Sequence, residues 1–363
     1  MTEINQASLL KALSKKLNTP VQSADYTIET LNGGTLGDVA KLTGKAQTSD
    51  GKKPYTIVLK IQKKWERPGD PDSWRREYDL YQSNFGDIFT EPLRWPECYL
   101  AELNDDKIEL WMEYISGDSG ENLDFEALRL AAAEWGRIQG RLYAHPEKLT
   151  GIKCLSDPGR LFRNFEEWHT RTYSYEFLTS EKCRLPGFLK QLLKDGSIKL
   201  CGGKSFEYAL LRSDSCDIPE HLKRMLTELD ENKGEVFARL KRLPIVFCHR
   251  DFWIENIFVS DGQIRLIDWD GAGLGCLGED IASLIFDDTE TDNLHACFRV
   301  LFPAYVNAVS EYMEVPPDFY RTVTDLILIT FGYRTAQKHM FTQDPETKKD
   351  QIKRLQAVHD WRS

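Results

Sequence analysis

Long hydrophobic runs are missing from this 363-residue chain. None approaches the roughly 20 apolar residues that a membrane helix needs. The first residues, Met1-Thr2-Glu3-Ile4-Asn5, are polar and hold no signal-peptide core. These absences point to a cytoplasmic protein with no membrane partner. Basic blocks are missing too, and the formal net charge is −10. A generic nucleic-acid binder carries a basic face, so nucleic acid is not an expected partner. An acidic surface suits a cationic small molecule, and suits plain solubility equally. None of the eight cysteines forms a Cys-x-x-Cys pair or stands at a metal-finger spacing with histidine. They read as reduced, mostly buried thiols. No internal repeat or low-complexity tract is visible.

The length allows two lobes, each with its own core. Residues 4–17 have a helical stripe of Leu9, Leu10, Leu13 and Leu17. Strands are expected at residues 26–31, 39–42, 55–61, 98–103 and 107–115, with turns at 49–52 and 104–106. A helix is expected at residues 74–84. The polar segment Ser116-Gly117-Asp118-Ser119-Gly120 marks a boundary. Residues 1–116 form a strand-rich N-lobe and residues 117–363 a larger C-lobe. Helical patterns dominate that C-lobe, broken by a short apolar strand at 245–248 and a hairpin at 257–267. A ligand is expected in the cleft between two such lobes.

Chemistry concentrates in His249-Arg250-Asp251-Phe252-Trp253-Ile254-Glu255-Asn256, followed after the hairpin by Ile267-Asp268-Trp269-Asp270. Phosphoryl transfer needs a carboxylate to orient the attacking hydroxyl, and hard oxygen ligands for Mg²⁺ on the nucleotide phosphates. Asp251 fits the first need. Asn256 and Asp268 fit the second. Each residue alone would be unremarkable, a loop histidine or a turn aspartate. Their order, their spacing and the flanking strands single them out.

The segment resembles the catalytic loop and metal-binding aspartate of the protein-kinase-like superfamily. It is most similar to the aminoglycoside phosphotransferase and choline kinase branch, where Ile-Asp-(Trp/Phe)-(Asp/Glu) replaces Asp-Phe-Gly. Trp269-Asp270 therefore argues against a protein kinase. The resemblance implies a two-lobed α+β kinase-like fold, ATP and Mg²⁺ as cofactors, and a small-molecule acceptor. It implies a phosphate-covering loop at Asn32-Gly33-Gly34-Thr35-Leu36-Gly37, in which Asn32 stands where the pattern has its first glycine. It implies that Lys60 contacts the phosphates and that Glu77 pairs with Lys60. It also implies a hinge at residues 110–115. There the Glu113 carbonyl and the Ile115 amide would read the adenine edge, with Met112 at the back of the pocket. Asp280 would brace the catalytic loop.

For the acceptor, the acidic run Asp287-Asp288-Thr289-Glu290-Thr291-Asp292 suits an amine, and Trp168, Tyr173, Tyr175 and Phe177 suit a lid or a cation–π site. A solvated loop and ordinary surface aromatics account for the same residues. The expectation is an ATP-dependent kinase acting on a hydroxyl of a small, amine-bearing molecule. The transition state is loose, so Asp251 needs no raised pKa. The alternative is a non-catalytic nucleotide-binding or structural protein on the same fold. Such a protein would be expected to have lost at least one of Lys60, Asp251, Asn256 and Asp268.

Overall fold

The computed structural model describes residues 4–31, 37–65, 67 and 70–363. The fold is α+β, with a small antiparallel lobe and a larger helical lobe. Helix α1 (Gln6–Lys16) starts where the Asn5 side chain accepts from the N–H groups of Ala7 and Ser8. Its buried stripe of Leu9, Ala12 and Leu13 shares a core with Leu42, Ile57, Leu59 and Trp111 of the sheet.

That sheet contains β1 (Ser23–Ala24), β2 (Thr27–Thr30), β3 (Gly37–Thr48) and β4 (Gly51–Lys63). After β4 comes the short helix α2 (Arg76–Tyr81), then β5 (Leu93–Arg94), β6 (Cys98–Leu103) and β7 (Lys107–Glu113). The order is β1-β3-β4-β7-β6, with β2 also on β3, while β5 lies in another sheet. The expected strand at 39–42 is only the middle of β3. The chain turns at Ser49-Asp50, and Gly51 at φ 106° begins β4. The expected helix at 74–84 is shorter, a 3₁₀ turn at Ser73–Arg75 running into α2. Lys60 lies on β4, and its register opposite Val39 and Leu110 fixes its place mid-sheet.

Helix α3 (Phe125–Ala144) opens the helical lobe. The Asp124 carboxylate caps it by accepting from the Ala127 N–H at 2.7 Å. Further helices follow: α4 (Arg160–Thr170), α5 (Tyr175–Thr179), α6 (Gly187–Lys194), α7 (Phe206–Leu211), α8 (Glu220–Glu231) and α9 (Lys233–Leu240). Strand β8 (Ile245–Cys248) is the expected apolar strand, and β9 (Ile257–Ser260) with β10 (Gln263–Leu266) is the expected hairpin. β10 also pairs in parallel with β5. Strand β11 (Gly273–Cys276), antiparallel to β8, was not expected.

Last come α10 (Glu279–Phe286), α11 (Leu294–Val309), α12 (Phe319–Ile327), α13 (Tyr333–Met340) and α14 (Pro345–Arg362). α3 packs on α11 at close range because Gly136 faces the Tyr305 carbonyl, where a Cβ would come within 2.8 Å. The large core draws in Leu80, Phe85, Ile88, Phe89 and Leu93 from before β6. α2 therefore packs between the lobes, with Leu80 in the helical core and Tyr78 and Tyr81 against Ile108, Leu110 and Met112 of the sheet. Among the described residues, no helix is long and apolar enough to cross a membrane.

Candidate functional site

β4 carries Lys60 into the space between the lobes. Its Nζ donates to Glu77 Oε2 at 2.5 Å and to Asp268 Oδ1 at 2.8 Å. Glu77, on α2, is 1% exposed. Burial works against the Lys60 ammonium, but Asp268 and Glu77 outweigh it and hold its pKa above the ordinary value. Burial likewise pushes Asp268 up, and Lys60 more than offsets it, so Asp268 titrates below the usual carboxylate range.

The loop after β8 supplies Asp251. Asn256 Nδ2 donates to Asp251 Oδ2 at 2.7 Å and to the Asp251 carbonyl at 2.9 Å. Burial pushes the Asp251 carboxyl up to about 7, the Asp268 charge adds to this, and the Asn256 bond opposes it. The expectation that no raised pKa is needed left this displacement unforeseen.

Two non-glycine residues here hold left-handed backbone, Arg250 at φ 65° and Asp268 at φ 66°. Aspartate tolerates that region better than arginine does. The Arg250 turn is held by Asp280 on α10. Its carboxylate accepts from the His249 N–H and the Arg250 N–H, each at 2.8 Å, and from Trp135 Nε1 at 2.8 Å. That is the loop-bracing position expected for Asp280. The Arg250 side chain donates to Ser156 Oγ, to the Asp157 carbonyl and to the Leu274 carbonyl. The His249 ring is fully buried 4.2 Å from the Trp269 ring, and burial lowers its pKa to about 4. It is neutral and serves packing. Trp269 is buried among Phe85, Phe89, Trp95 and Phe247, while Asp270 turns back to pair with Arg67 at 3.2 Å.

A cavity of about 760 Å³ lies between the lobes. Leu31, Val39 and Val58 of the sheet face Phe258 and Ile267 of the hairpin across it. Met112, Glu113 and Ile115 line the same end. Lys60, Asp251, Asn256 and Asp268 lie along it, and Asp287, Asp288 and Arg334 come from the helical lobe. An apolar lining beside charged groups suits a heteroaromatic ring with an anionic tail. The Glu113 carboxylate accepts from the Glu97 N–H and from Arg265 Nε.

Asn32, Gly33 and Gly34 lie outside the described residues. Gly37 opens β3, where a Cβ would stand 2.0 Å from the Ile61 carbonyl oxygen. The close strand approach is reason enough for glycine there. Only Asp287 and Asp288 of the acidic run line the cavity, whereas Asp292 pairs with Lys353. Tyr173, Tyr175 and Phe177 are about 40% exposed on or beside α5, and none lines the cavity. Sequence reasoning missed Arg67, Arg160 and Gln62, which the fold brings beside Asp251 and Asp268. They lie far apart in the chain, with no motif to join them.

Among the described residues, no group of three His, Cys, Asp or Glu side chains is arranged to hold a metal. Mg²⁺ does not require one, because it binds through one or two protein oxygens plus phosphates and water. The Asn256 amide oxygen and the Asp268 carboxylate are hard oxygen donors of that kind, so the donor set fits.

The model for the family described as "Phosphotransferase enzyme family" matches residues 90–305, more than half of the chain. No curated protein matches significantly in sequence. A solved choline kinase from Cryptosporidium parvum is similar in fold, with a TM-score of 0.50 and 14% identity, over 99% of this chain and 90% of that one. An aminoglycoside phosphotransferase from Alicyclobacillus acidocaldarius is similar at TM-score 0.47 and 15% identity, over 100% and 94% of the two chains. An amicoumacin kinase in complex with AMP-PNP and Ca²⁺ is similar at TM-score 0.47 and 13% identity, over 98% and 94%. The fold is thus protein-kinase-like, and the chain belongs to the phosphotransferase enzyme family that also supplied the resemblance of its catalytic-loop motif.

Proposed function

We propose that the protein transfers the γ-phosphoryl group of ATP to a hydroxyl of a small, amine-bearing molecule. The observation that carries this reading is one constellation. Lys60 is clasped between Glu77 and Asp268, and the Asp251–Asn256 pair lines the same cavity. The apolar lining takes the adenine, with backbone at Glu113 and Ile115 reading its edge and Met112 behind. Lys60 holds the phosphates and Glu77 holds Lys60. Asn256 and Asp268 would hold Mg²⁺, which neutralises charge on the phosphate oxygens. Asp251 orients the acceptor hydroxyl and takes its proton late in the transfer. Asp280 fixes the loop that carries Asp251. Asp287 and Asp288 favour an ammonium on the acceptor, since both line the cavity that Asp251 lines.

The test is ADP release from Mg²⁺-ATP with a panel of amino sugars, amino alcohols and sugars, with Asp251→Asn in parallel. Acceptor-dependent turnover that Asp251→Asn abolishes is expected. The absence of both acceptor-dependent turnover and nucleotide-induced thermal stabilisation would refute the kinase reading. Undiminished turnover in Asp251→Asn would refute only the role of that residue.

A further inference from the structure

A second cavity, of about 270 Å³, adjoins the first and shares Val39, Lys60, Asp251 and Asp268 with it. The two differ in charge. The larger is lined by seven carboxylates against Lys60 and Arg334. The smaller is lined by Lys60, Arg67, Arg160 and Arg250 against Asp251, Asp268 and Asp270. The three guanidinium groups come from separate parts of the fold: the β4–α2 connection, the first turn of α4 and the loop after β8. Burial, and then the charges of Arg67 and Arg250, lower the pKa of Arg160 to about 10. These like charges are crowded, and an anion among them relieves the repulsion.

Free donors are present as well as charge. Arg160 donates through Nη1 to the Gly271 carbonyl at 2.9 Å, with Asp70 at 3.5 Å. Arg67 pairs with Asp270 through Nη2, and its buried Nη1 has no partner among the described residues. Arg250 spends its Nη groups on Ser156, Asp157 and Leu274 and pairs through Nε with Glu279 at 3.4 Å, so the free donors and charge are those of Arg67 and Arg160. Gln62, 5% exposed, also lines this cavity. Its Oε1 has no partner among the described residues, and as an acceptor it calls for a donor such as a ligand hydroxyl, not for an anion oxygen.

We propose that the smaller cavity is a subsite for an acidic group, a carboxylate or phosphate, on the phosphoryl acceptor, held by Arg160 and Arg67 beside Gln62. The inference rests on the kinase reading and narrows it. With Asp287 and Asp288 in the larger cavity and the arginines in the smaller, the acceptor is a zwitterion that presents its hydroxyl to Asp251. A forked guanidinium suits either acid, because both offer paired oxygens.

The test separates this site from the nucleotide phosphates. Inorganic phosphate and acetate are titrated calorimetrically into protein saturated with Mg²⁺-AMP-PNP. At least one is expected to bind with the nucleotide present. Arg160→Gln should weaken it tenfold or more while AMP-PNP affinity holds, and Arg160→Lys should restore part of the loss. Arg67→Gln, at a position outside any helix, provides a second variant should Arg160→Gln fold poorly. If AMP-PNP excludes both anions, or if Arg160→Gln weakens AMP-PNP by the same factor, the arginines serve the nucleotide and the proposal fails. If AMP-PNP itself does not bind, the kinase reading fails and the acceptor role with it, an outcome distinct from the first two. In turnover, a hydroxy amino acid should exceed its matched amino alcohol at least tenfold in kcat/KM, through KM, and Arg160→Gln should erase the difference. Preference for the amino alcohol would overturn the proposal.

Discussion

Replacing Asp251 by asparagine should make the protein more stable while disabling it. The carboxyl is displaced from 3.8 to about 7, chiefly by burial and then by the Asp268 charge. A tenfold change in proton affinity is worth about 1.36 kcal/mol, so ionising Asp251 in the native state costs about 4 kcal/mol. The sign follows from which state holds the proton. Below about pH 4 both states are protonated and nothing is lost. As pH rises from the ordinary value near 4 up through the native value near 7, the unfolded chain ionises this carboxyl while the native state still holds its proton, so stability falls and then levels off. Asparagine never ionises, and its amide oxygen still accepts from Asn256. Asp251→Asn should therefore gain little at pH 4.5 and most at pH 8. There a gain of about 4 kcal/mol corresponds to a Tm rise of about 5 °C for a chain of this length. Thermal melts of both proteins across that range read it, because groups remote from Asp251 cancel in the difference, and relief of the coupled Asp268, Asp270 and Asp287 adds in the same direction. Turnover should fall by about 10²- to 10⁴-fold. A gain that does not change with pH, or a less stable variant, would refute the reasoning.

Lys60→Met should cost about 3–5 kcal/mol in urea unfolding, because it strands the buried Glu77 carboxylate beside Asp268. It should also abolish AMP-PNP binding in calorimetry. Asp280→Ala leaves the His249 and Arg250 N–H groups and Trp135 Nε1 without their acceptor. It should lower kcat with little change in the KM for ATP, and destabilise by about 3 kcal/mol. Gly273→Ala puts a Cβ 1.9 Å from Ser156 Oγ and 2.5 Å from the Ser156 carbonyl oxygen, and should lower the Tm measurably, at a cost of about 1–3 kcal/mol. Gly234→Ala, in the α9 helix with open space around it, should be neutral or stabilising by about 0.5–1 kcal/mol in the same melt.

What the sequence made legible was local. Ile245-Val246-Phe247-Cys248 reads as a buried strand because four apolar residues follow Pro244, and it is one. The β9–β10 hairpin is legible because apolar strands flank Asp261-Gly262, both at positive φ. β11 was hidden because Gly273 and Gly275 lack any β-strand preference of their own. They are glycines because Ser156 and Cys248 come too close for a side chain. The helix ended early because Gln82 begins a turn whose Ser83 hydroxyl bonds back to the Leu80 carbonyl. At the site, the pairing of Lys60 with Glu77 was legible only through the family resemblance, since a separation of 17 residues does not by itself name a partner. The arginines of the smaller cavity were not legible at all, since Arg67, Arg160 and Arg250 meet only through the packing of both lobes. Tyr173, Tyr175 and Phe177 suit either a binding site or an ordinary surface by composition, and in the fold they are exposed and do not line the cavity.

α2 has one further consequence. Arg76 sits beside Glu77 and bonds the Cys154 carbonyl, the Asp270 carbonyl and the Asp70 carboxylate, while Leu80 belongs to the helical lobe's core. One short helix thus packs on both lobes, with Leu80 in the lower core, Tyr78 and Tyr81 against Ile108, Leu110 and Met112 of the sheet, and the Glu77 carboxylate on Lys60. Lys60 is in turn bonded to Asp268 of the lower lobe. Parting the lobes therefore has to break the Lys60–Asp268 bond, and the lysine is the rivet through which the two halves feel each other.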